Sequence, residues 1–226
     1  SGKNLGKGGA WNQILSGAPG EIISYADSDV LFKPGWLARS VELLETYPNV
    51  GMVTARPFRT NPDFYTNTVA WAEQTSGTQV EHGSLLPWQT FLEFDLSLGQ
   101  SEAEIRDHYD STKDVRITYQ GVQAYAGASH WQFTAYKQVL AQFLPFDMER
   151  PMGQVKQLDQ RMNQAGLLRL MVSDPLAMNM SNTLRGVSVR PQKTEGKKTN
   201  RLQDLPFIKA PLLRLYDKIF RWYYDR

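Results

Sequence analysis

The sequence predicts an α/β domain with a mixed, mainly parallel sheet flanked by helices. The stretch 21–30 begins as an apolar, strand-like run, an amphipathic helix covers 36–46, and a second strand-like run covers 51–55. Strand, helix and strand in close succession form a βαβ unit, so at least part of the sheet must be parallel. A dense apolar and aromatic segment, 206–226, adds an amphipathic C-terminal helix to this prediction.

The other elements follow from the same patterns of periodicity, capping and turns. A capping box, Ser101 with Glu104, opens one further helix. Helices are also predicted over 10–16, 63–75, 88–98, 131–143 and 153–165, the last ended by Gly166. Short strands are predicted over 114–119, 122–125, 167–172 and 176–180.

Composition excludes several classes of function. The chain has 226 residues, a net charge of +2 and no cysteine, so neither a disulfide framework nor a thiolate metal site can form. The net charge is too small to indicate a nucleic-acid surface, and we expect no nucleic-acid partner. No apolar run approaches the ~20 residues that cross a bilayer. We expect a cytoplasmic protein, with peripheral attachment to the inner face of the membrane as the alternative.

Two carboxylates follow the first predicted strand. Asp27 and Asp29 are spaced i, i+2, so in an extended chain they point to the same side. Hard divalent cations prefer such oxygen ligands, and Mg²⁺ is commonly held by one or two carboxylates together with substrate phosphates. The pattern predicts a metal and diphosphate site, although Asp-Ser-Asp is also ordinary turn chemistry after a strand.

Other candidate residues carry weaker signals. The glycine-rich, cationic loop 2–9 fails the Walker and Rossmann patterns, but it leads into a helix N-terminus that can host an anion. Asp159 is either an exposed helix residue or a general base aimed into a cleft. Asp147 and Glu149 are loop carboxylates of similar ambiguity. The histidines show no metal-ligand spacing, and His130 differs from the others because it follows a Gly-Ala-Ser loop.

The order of these pieces resembles the family 2 glycosyltransferases. The resemblance rests first on NLGKGGAWN (4–12), GEII (20–23), DSD (27–29) and KPGWL (33–37). It continues with GAS (127–129), PFD (145–147) and DQRMNQAG (159–166), which are similar to the acceptor half of the family.

The resemblance implies a GT-A fold and an inverting transfer of sugar from a nucleotide-diphosphate donor to an acceptor hydroxyl. The acceptor would be a saccharide or a lipid-linked saccharide. Asp29 would bind Mn²⁺ or Mg²⁺, Asp27 would contact that metal or the ribose of the nucleotide, and Asp159 would be the catalytic base. The residues expected to bind the nucleotide-sugar are Lys7, Asn12, Asp27, Gly127, Ala128 and Ser129.

The chain departs from the family pattern in three places. The nucleotide-binding strands that precede the glycine-rich loop in the family do not precede it here, so we expect an N-terminal piece to be missing. Gln154-Val155 stands where many members carry Glu-Asp, and Asn179 stands where a histidine is common. These departures keep a second hypothesis open, a non-catalytic remnant that binds a glycan or a partner. A glycoside hydrolase with paired carboxylates is a third.

Three segments are expected along the chain. Residues 1–185 would form the catalytic and acceptor domain, 186–205 a polar linker, and 206–226 the amphipathic helix. That helix carries five basic residues beside its apolar face. It would either pack on the domain or lie in the interface of an anionic membrane.

Overall fold

The computed structural model describes residues 6–146, 154–180, 183–184 and 187–188. In these residues a seven-stranded mixed sheet is flanked by helices. The predicted α/β class is therefore confirmed, in agreement with the GT-A-like arrangement that the resemblance implies. A linker was predicted over 186–205 and a C-terminal helix over 206–226. Apart from 187–188, these residues lie outside the described part of the chain.

The helices and strands have the following bounds. The helices are α1 (Gly6–Gly17), α2 (Trp36–Thr46), α3 (Thr66–Gln74), α4 (Trp88–Ser97), α5 (Glu102–Ser111), α6 (Lys137–Ala141) and α7 (Gln154–Gln164), and a 3-10 turn (Pro62–Phe64) precedes α3. The strands are β1 (Ile22–Ala26), β2 (Val30–Phe32), β3 (Val50–Thr54), β4 (Gln79–Gly83), β5 (Asp114–Tyr119), β6 (Val122–Ala126), β7 (Gln132–Tyr136), β8 (Leu168–Val172), β9 (Ala177–Asn179), β10 (Thr183–Leu184) and β11 (Val187–Ser188).

The large sheet has the strand order β1-β7-β3-β8-β6-β5-β4. Among its neighbouring strands, β3 and β8 are parallel and the other described pairs are antiparallel. Strands β1 and β3 do share one direction, as their βαβ connection predicts, but β7 lies between them and is antiparallel to both. Fewer neighbouring strand pairs are parallel than expected, because β7 lies between β1 and β3 and because β5 and β6 form a tight hairpin.

The hairpin turn has a simple cause in the sequence. Gln120 and Gly121 both have positive φ, +50° and +80°, as a two-residue turn of type I′ requires. The predicted strands on either side of Gly121 are thus confirmed.

One predicted helix is wrong. Residues 131–143 were expected to be helical, but their first half forms strand β7 and only Lys137–Ala141 is helix. Strand β7 is central, and its first four residues are all buried, so it shows none of the alternation that marks a half-exposed strand. An apolar run of this kind cannot be told from a buried helix by its periodicity.

Four short strands, β2, β4, β10 and β11, were also missed by the sequence patterns. Strand β4 closes one edge of the large sheet against β5. Strand β2 pairs with β9 in a separate antiparallel ribbon, in which Val30 lies opposite Asn179. The pairing of β2 with β9 joins residues far apart in sequence. It also helps to position Asp29, because β2 begins directly after that residue.

Separate groups of helices pack against the sheet and form distinct apolar clusters. One apolar cluster joins α2 and α3 to alternate residues of β8, Leu168, Leu170 and Val172. Another joins α1, α6 and α7 through Trp11, Leu15, Phe133, Leu140 and Leu158. Because side chains alternate along a strand, Arg169 points away from the first cluster. A charged residue is thereby directed toward the side of the sheet that α7 covers.

The segment that joins β6 to β7 is held tightly along the sheet. Gly127 donates its backbone N–H to the carbonyl of Arg169 at 2.8 Å. Further on, the hydroxyl of Thr54 accepts from the Ser129 N–H at 2.9 Å and donates to the Gln132 carbonyl at 3.0 Å. The segment therefore runs from the start of β8 to the carboxyl end of β3.

Gly127 offers a test of how closely this segment packs. Its φ is +116°, and a Cβ there would lie 3.0 Å from Thr60 Oγ1 and 3.1 Å from Met171 Cε. Gly121 is a matched control, since its φ is also positive but a Cβ would meet nothing within 4 Å. We expect Gly127→Ala to lower the free energy of unfolding by about 1–3 kcal/mol more than Gly121→Ala, the usual cost of overpacking. Denaturant titration measures both, and equal losses would mean that the neighbours of Gly127 yield without cost.

Candidate active site at the carboxyl ends of strands β1 and β3

Asp27 lies at the carboxyl end of β1. Its backbone N–H donates to the carbonyl of Trp131 at 2.9 Å, and its own carbonyl accepts from the Val30 N–H at 3.3 Å. The chain therefore turns between β1 and β2 at the Asp-Ser-Asp triplet, 27–29, which we call the aspartate turn. Asp27 and Asp29 are partly buried and Ser28 is exposed. Ligands of open α/β sheets bind at this kind of strand end.

Lys7 is brought onto Asp27. The Lys7 ammonium lies 2.7 and 2.9 Å from the two carboxylate oxygens of Asp27, which are partly exposed. The same ammonium lies over the rings of Trp11 and Tyr25, 5.3 and 5.5 Å from their centroids. Two residues that the sequence assigned to nucleotide-sugar binding are thus in contact. The Lys7 charge also offsets part of the repulsion between the two aspartates.

Tyr25 is a second partner of Asp27, and no sequence pattern had singled it out. Its hydroxyl donates to a carboxylate oxygen of Asp27 at 2.7 Å. Burial of the phenol, reinforced by this hydrogen bond and by the charge of Asp27, raises the pKa of Tyr25 to about 12. The phenol therefore stays protonated and remains a donor throughout the physiological range.

Asp29 is placed differently from Asp27. Its backbone carbonyl accepts from the Met180 N–H at 2.8 Å, which ties it to the end of strand β9. Its carboxylate makes no hydrogen bond or ion pair within the described part of the chain. Asn179, which stands where the family often has histidine, lies in the register position opposite Val30. The ribbon β2–β9 therefore brings Asn179 beside the aspartate turn.

The donor set fits a hard divalent cation that arrives with phosphates. Mg²⁺ needs only one or two carboxylates when phosphate oxygens and water complete its shell. Asp29 meets that need more directly than Asp27, whose oxygens are bound by Lys7 and Tyr25. Among the described residues, no cluster of three or more histidine, cysteine, aspartate or glutamate side chains could hold an ion without such a ligand.

Asn12 makes contacts of another kind. Its amide donates to the Phe146 carbonyl at 3.2 Å and accepts from the Phe146 N–H at 2.6 Å. Both polar atoms of the side chain are therefore used to join α1 to the segment after α6. The predicted nucleotide-binding role of Asn12 is not visible in these contacts, which position the helix that carries Lys7.

The segment 127–129 is mostly buried. Gly127 and Ala128 are both buried, and the Ala128 carbonyl accepts from the guanidinium of Arg169. Ser129 is partly exposed, and its backbone is held by Thr54. Of these three residues, predicted to bind the nucleotide-sugar, Ser129 is therefore the one whose side chain is nearest to solvent.

Asp159 is buried, with only 2% of its surface exposed. One carboxylate oxygen lies 2.6 Å from a guanidinium nitrogen of Arg169, and the other lies 2.7 Å from Nδ1 of His130. The sequence suggested either an exposed helix residue or a base aimed into a cleft. The structure places a fully engaged carboxylate between a buried cation and a partly exposed imidazole.

Arg169 was not singled out from the sequence. It is fully buried and also donates to the Phe64 carbonyl at 2.6 Å. Burial lowers the pKa of its guanidinium, while the nearby Asp159 opposes that change. A signal was present in the sequence, because a lone arginine inside the apolar strand 168–172 must find buried partners.

Comparison with known proteins identifies the region around the aspartate turn. Residues 1–98 match the model of glycosyl transferase family 2. This region of the chain is therefore similar to glycosyl transferase family 2. The match includes Lys7, Asn12, Asp27 and Asp29, whereas the group of His130, Asp159 and Arg169 lies beyond it.

One curated relative is similar to a part of this chain. An uncharacterized glycosyltransferase of Nostoc sp. (strain PCC 7120 / SAG 25.82 / UTEX 2576) is 40% identical over 50 residues. The aligned segment covers 22% of this chain and 16% of that protein. No solved structure matches this chain.

The buried pair of Asp159 and Arg169 gives a stability prediction. Asp159→Asn leaves the guanidinium without its counter-charge, which typically costs about 3–5 kcal/mol in a buried pair. Asp95→Asn is the matched control, because buried Asp95 faces His108 at 3.2 Å, and burial already raises its pKa toward the neutral form. We expect the control to lose only about 1 kcal/mol, as for a single hydrogen bond. Urea unfolding compares the two, and equal losses would show that Asp159 does not balance Arg169.

Proposed function

We propose that this protein is an inverting glycosyltransferase that moves a sugar from a nucleotide-diphosphate donor to an acceptor hydroxyl of a saccharide or lipid-linked saccharide. The observation that supports this best is the pair Asp27 and Asp29 at the carboxyl end of β1, where the Lys7 ammonium forms an ion pair with Asp27. These residues fall inside the region matched to glycosyl transferase family 2.

The aspartate turn would hold the diphosphate of the donor. Asp29 would be the main ligand of a divalent cation, Mn²⁺ or Mg²⁺, and Asp27 would contribute once Lys7 moves from its carboxylate to a phosphate. Such a cation, when bound, supplies positive charge to the departing diphosphate. Lys7 would supply a second positive charge from the first turn of α1.

Ser129 and the backbone around it would face the sugar of the donor. We infer this role from the position of the segment beside Asp27, because the carbonyl of Trp131 accepts a hydrogen bond from the backbone N–H of Asp27. Asp159 would take part in removing the acceptor proton, as the sequence predicted. Because both of its oxygens are engaged, its influence on a substrate would pass through His130.

A non-catalytic protein that binds a glycan or a partner is the alternative. The observation that favours it is Gln154-Val155, where an acidic pair is common in the family. The two hypotheses differ in turnover, since only the enzyme releases a nucleoside diphosphate from its donor. The decisive assay uses the full-length gene product with a panel of uridine, guanosine and thymidine diphosphate sugars.

Location and membrane contact also stay predictions. None of the helices in the described ranges has both the length and the apolar composition needed to cross a bilayer. Contact with lipid was predicted for 206–226, which lie beyond the described residues. Co-sedimentation of the protein with anionic vesicles, with and without 206–226, tests that contact.

Asp29→Asn tests the metal-linked donor site. The change removes one charge with little change of volume, so we expect the melting temperature to be kept and the Mn²⁺-dependent binding of a nucleotide-sugar to be lost. Isothermal titration calorimetry measures the affinity for the donor that the turnover panel selects. The reason is that a hard cation binds carboxylate oxygens far better than an amide.

The matched control is Asp110→Asn, an exposed carboxylate of α5. It removes the same charge away from the aspartate turn and should leave donor affinity unchanged. Unchanged affinity in Asp29→Asn would rule out Asp29 as a ligand. An equal loss in both variants would indicate a general effect of net charge.

A further inference from the structure

We propose that His130 is the group that takes the proton from the acceptor hydroxyl, and that Asp159 and Arg169 hold it in place. This inference rests on the proposed function and names its base. It differs from the prediction made for Asp159, in which the carboxylate itself would meet the substrate.

The first argument is the order of burial along the three groups. Arg169 is fully buried, the Asp159 side chain is 3% exposed, and the His130 imidazole is 27% exposed. The charges thus form a chain that starts inside the protein and ends at its surface. Of the three side chains, the imidazole is the one that a substrate can reach.

The second argument is the tautomer that the contacts impose. A carboxylate paired with a guanidinium has only acceptor oxygens, so Nδ1 of His130 must carry the hydrogen in the 2.7 Å contact with Asp159. In the neutral ring, the lone pair then lies on Nε2, on the side of the imidazole away from Asp159. A free ring nitrogen with a lone pair is what a general base needs.

The third argument is the place of His130 in the fold. The next residue, Trp131, accepts the backbone hydrogen bond of Asp27, and Gln132 lies opposite Ala26 in the register of β7 and β1. Neighbouring Cα atoms are about 3.8 Å apart, so His130 lies at the same strand ends as the aspartate turn. The base and the proposed diphosphate site therefore share one edge of the sheet.

The chemical step balances with the donor and acceptor already named. The acceptor O–H proton passes to Nε2 of His130 while that oxygen forms a bond to the anomeric carbon of the sugar. The bond from that carbon to the diphosphate oxygen breaks, and its electron pair leaves with the nucleoside diphosphate. The resulting imidazolium is stabilised by the carboxylate of Asp159.

A second histidine–aspartate contact provides an internal comparison. His108 approaches buried Asp95 with Nδ1 at 3.2 Å, and its imidazole is 39% exposed. It belongs to α5 and packs on Phe91 of α4, remote in sequence from the aspartate turn. The inference therefore predicts different consequences for two similar pairs.

The test is His130→Asn in the full-length gene product. The asparagine amide can replace the Nδ1–H donor to Asp159, but it has no basic nitrogen where Nε2 lies. We expect kcat for the selected nucleotide-sugar and acceptor to fall by about 10²–10⁴-fold, the usual contribution of a general base. Donor affinity by calorimetry and the melting temperature should stay close to those of the unmodified protein. His108→Asn should leave kcat unchanged.

The possible outcomes test the role of His130 separately from the proposed glycosyltransferase activity. A normal kcat in His130→Asn would overturn the base while the glycosyltransferase stands. An equal fall in His130→Asn and His108→Asn would also overturn it. Failure of the unmodified protein to release nucleoside diphosphate from any donor in the panel would overturn the proposed function itself. If His130→Asn does not fold, His130→Gln takes its place with the same expected loss, because a glutamine amide is not basic either.

Discussion

The buried guanidinium of Arg169 is the constraint on which the described structure depends. A charge without water must find partners, and this one finds Asp159 on α7, the Ala128 carbonyl before β7, and the Phe64 carbonyl before α3. Each partner comes from a different element, so a single side chain fixes the position of all three against β8. The placement of His130 follows, because it binds the remaining oxygen of Asp159.

The site contains two carboxylates in opposite physical situations. Asp159 is bound by Arg169, whose side chain has no access to solvent. If Asp159 took another partner, the buried guanidinium would be left without its counter-charge. Asp27 is bound by Lys7 at a partly exposed position, where ion pairs contribute little and exchange readily. The first carboxylate is thus suited to hold a neighbour in one orientation. The second is suited to change partners when a phosphate or a cation arrives.

The geometry of the sheet explains why these groups meet. Strands β1 and β3 run in one direction with β7 between them, so the start of β7 lies at the carboxyl ends of both. Thr54 at the end of β3 holds Ser129 and Gln132, and Asp27 at the end of β1 holds Trp131. One short segment therefore joins the aspartate turn to the residues that α7 covers. The tight packing at Gly127, with its positive φ, sets where this segment begins.

The sequence alone determined the α/β class, most helix bounds, the capping box and the aspartate turn, because each depends on neighbours within a few residues. It left β7 looking like a helix, since a strand buried on both faces loses its alternation. The tertiary structure decided which partners the charged groups take: Lys7 on Asp27, and Arg169 with His130 on Asp159. Those contacts join residues 10 to 29 positions apart along the chain. Their energy depends on burial and on distance in space, which local sequence patterns do not encode.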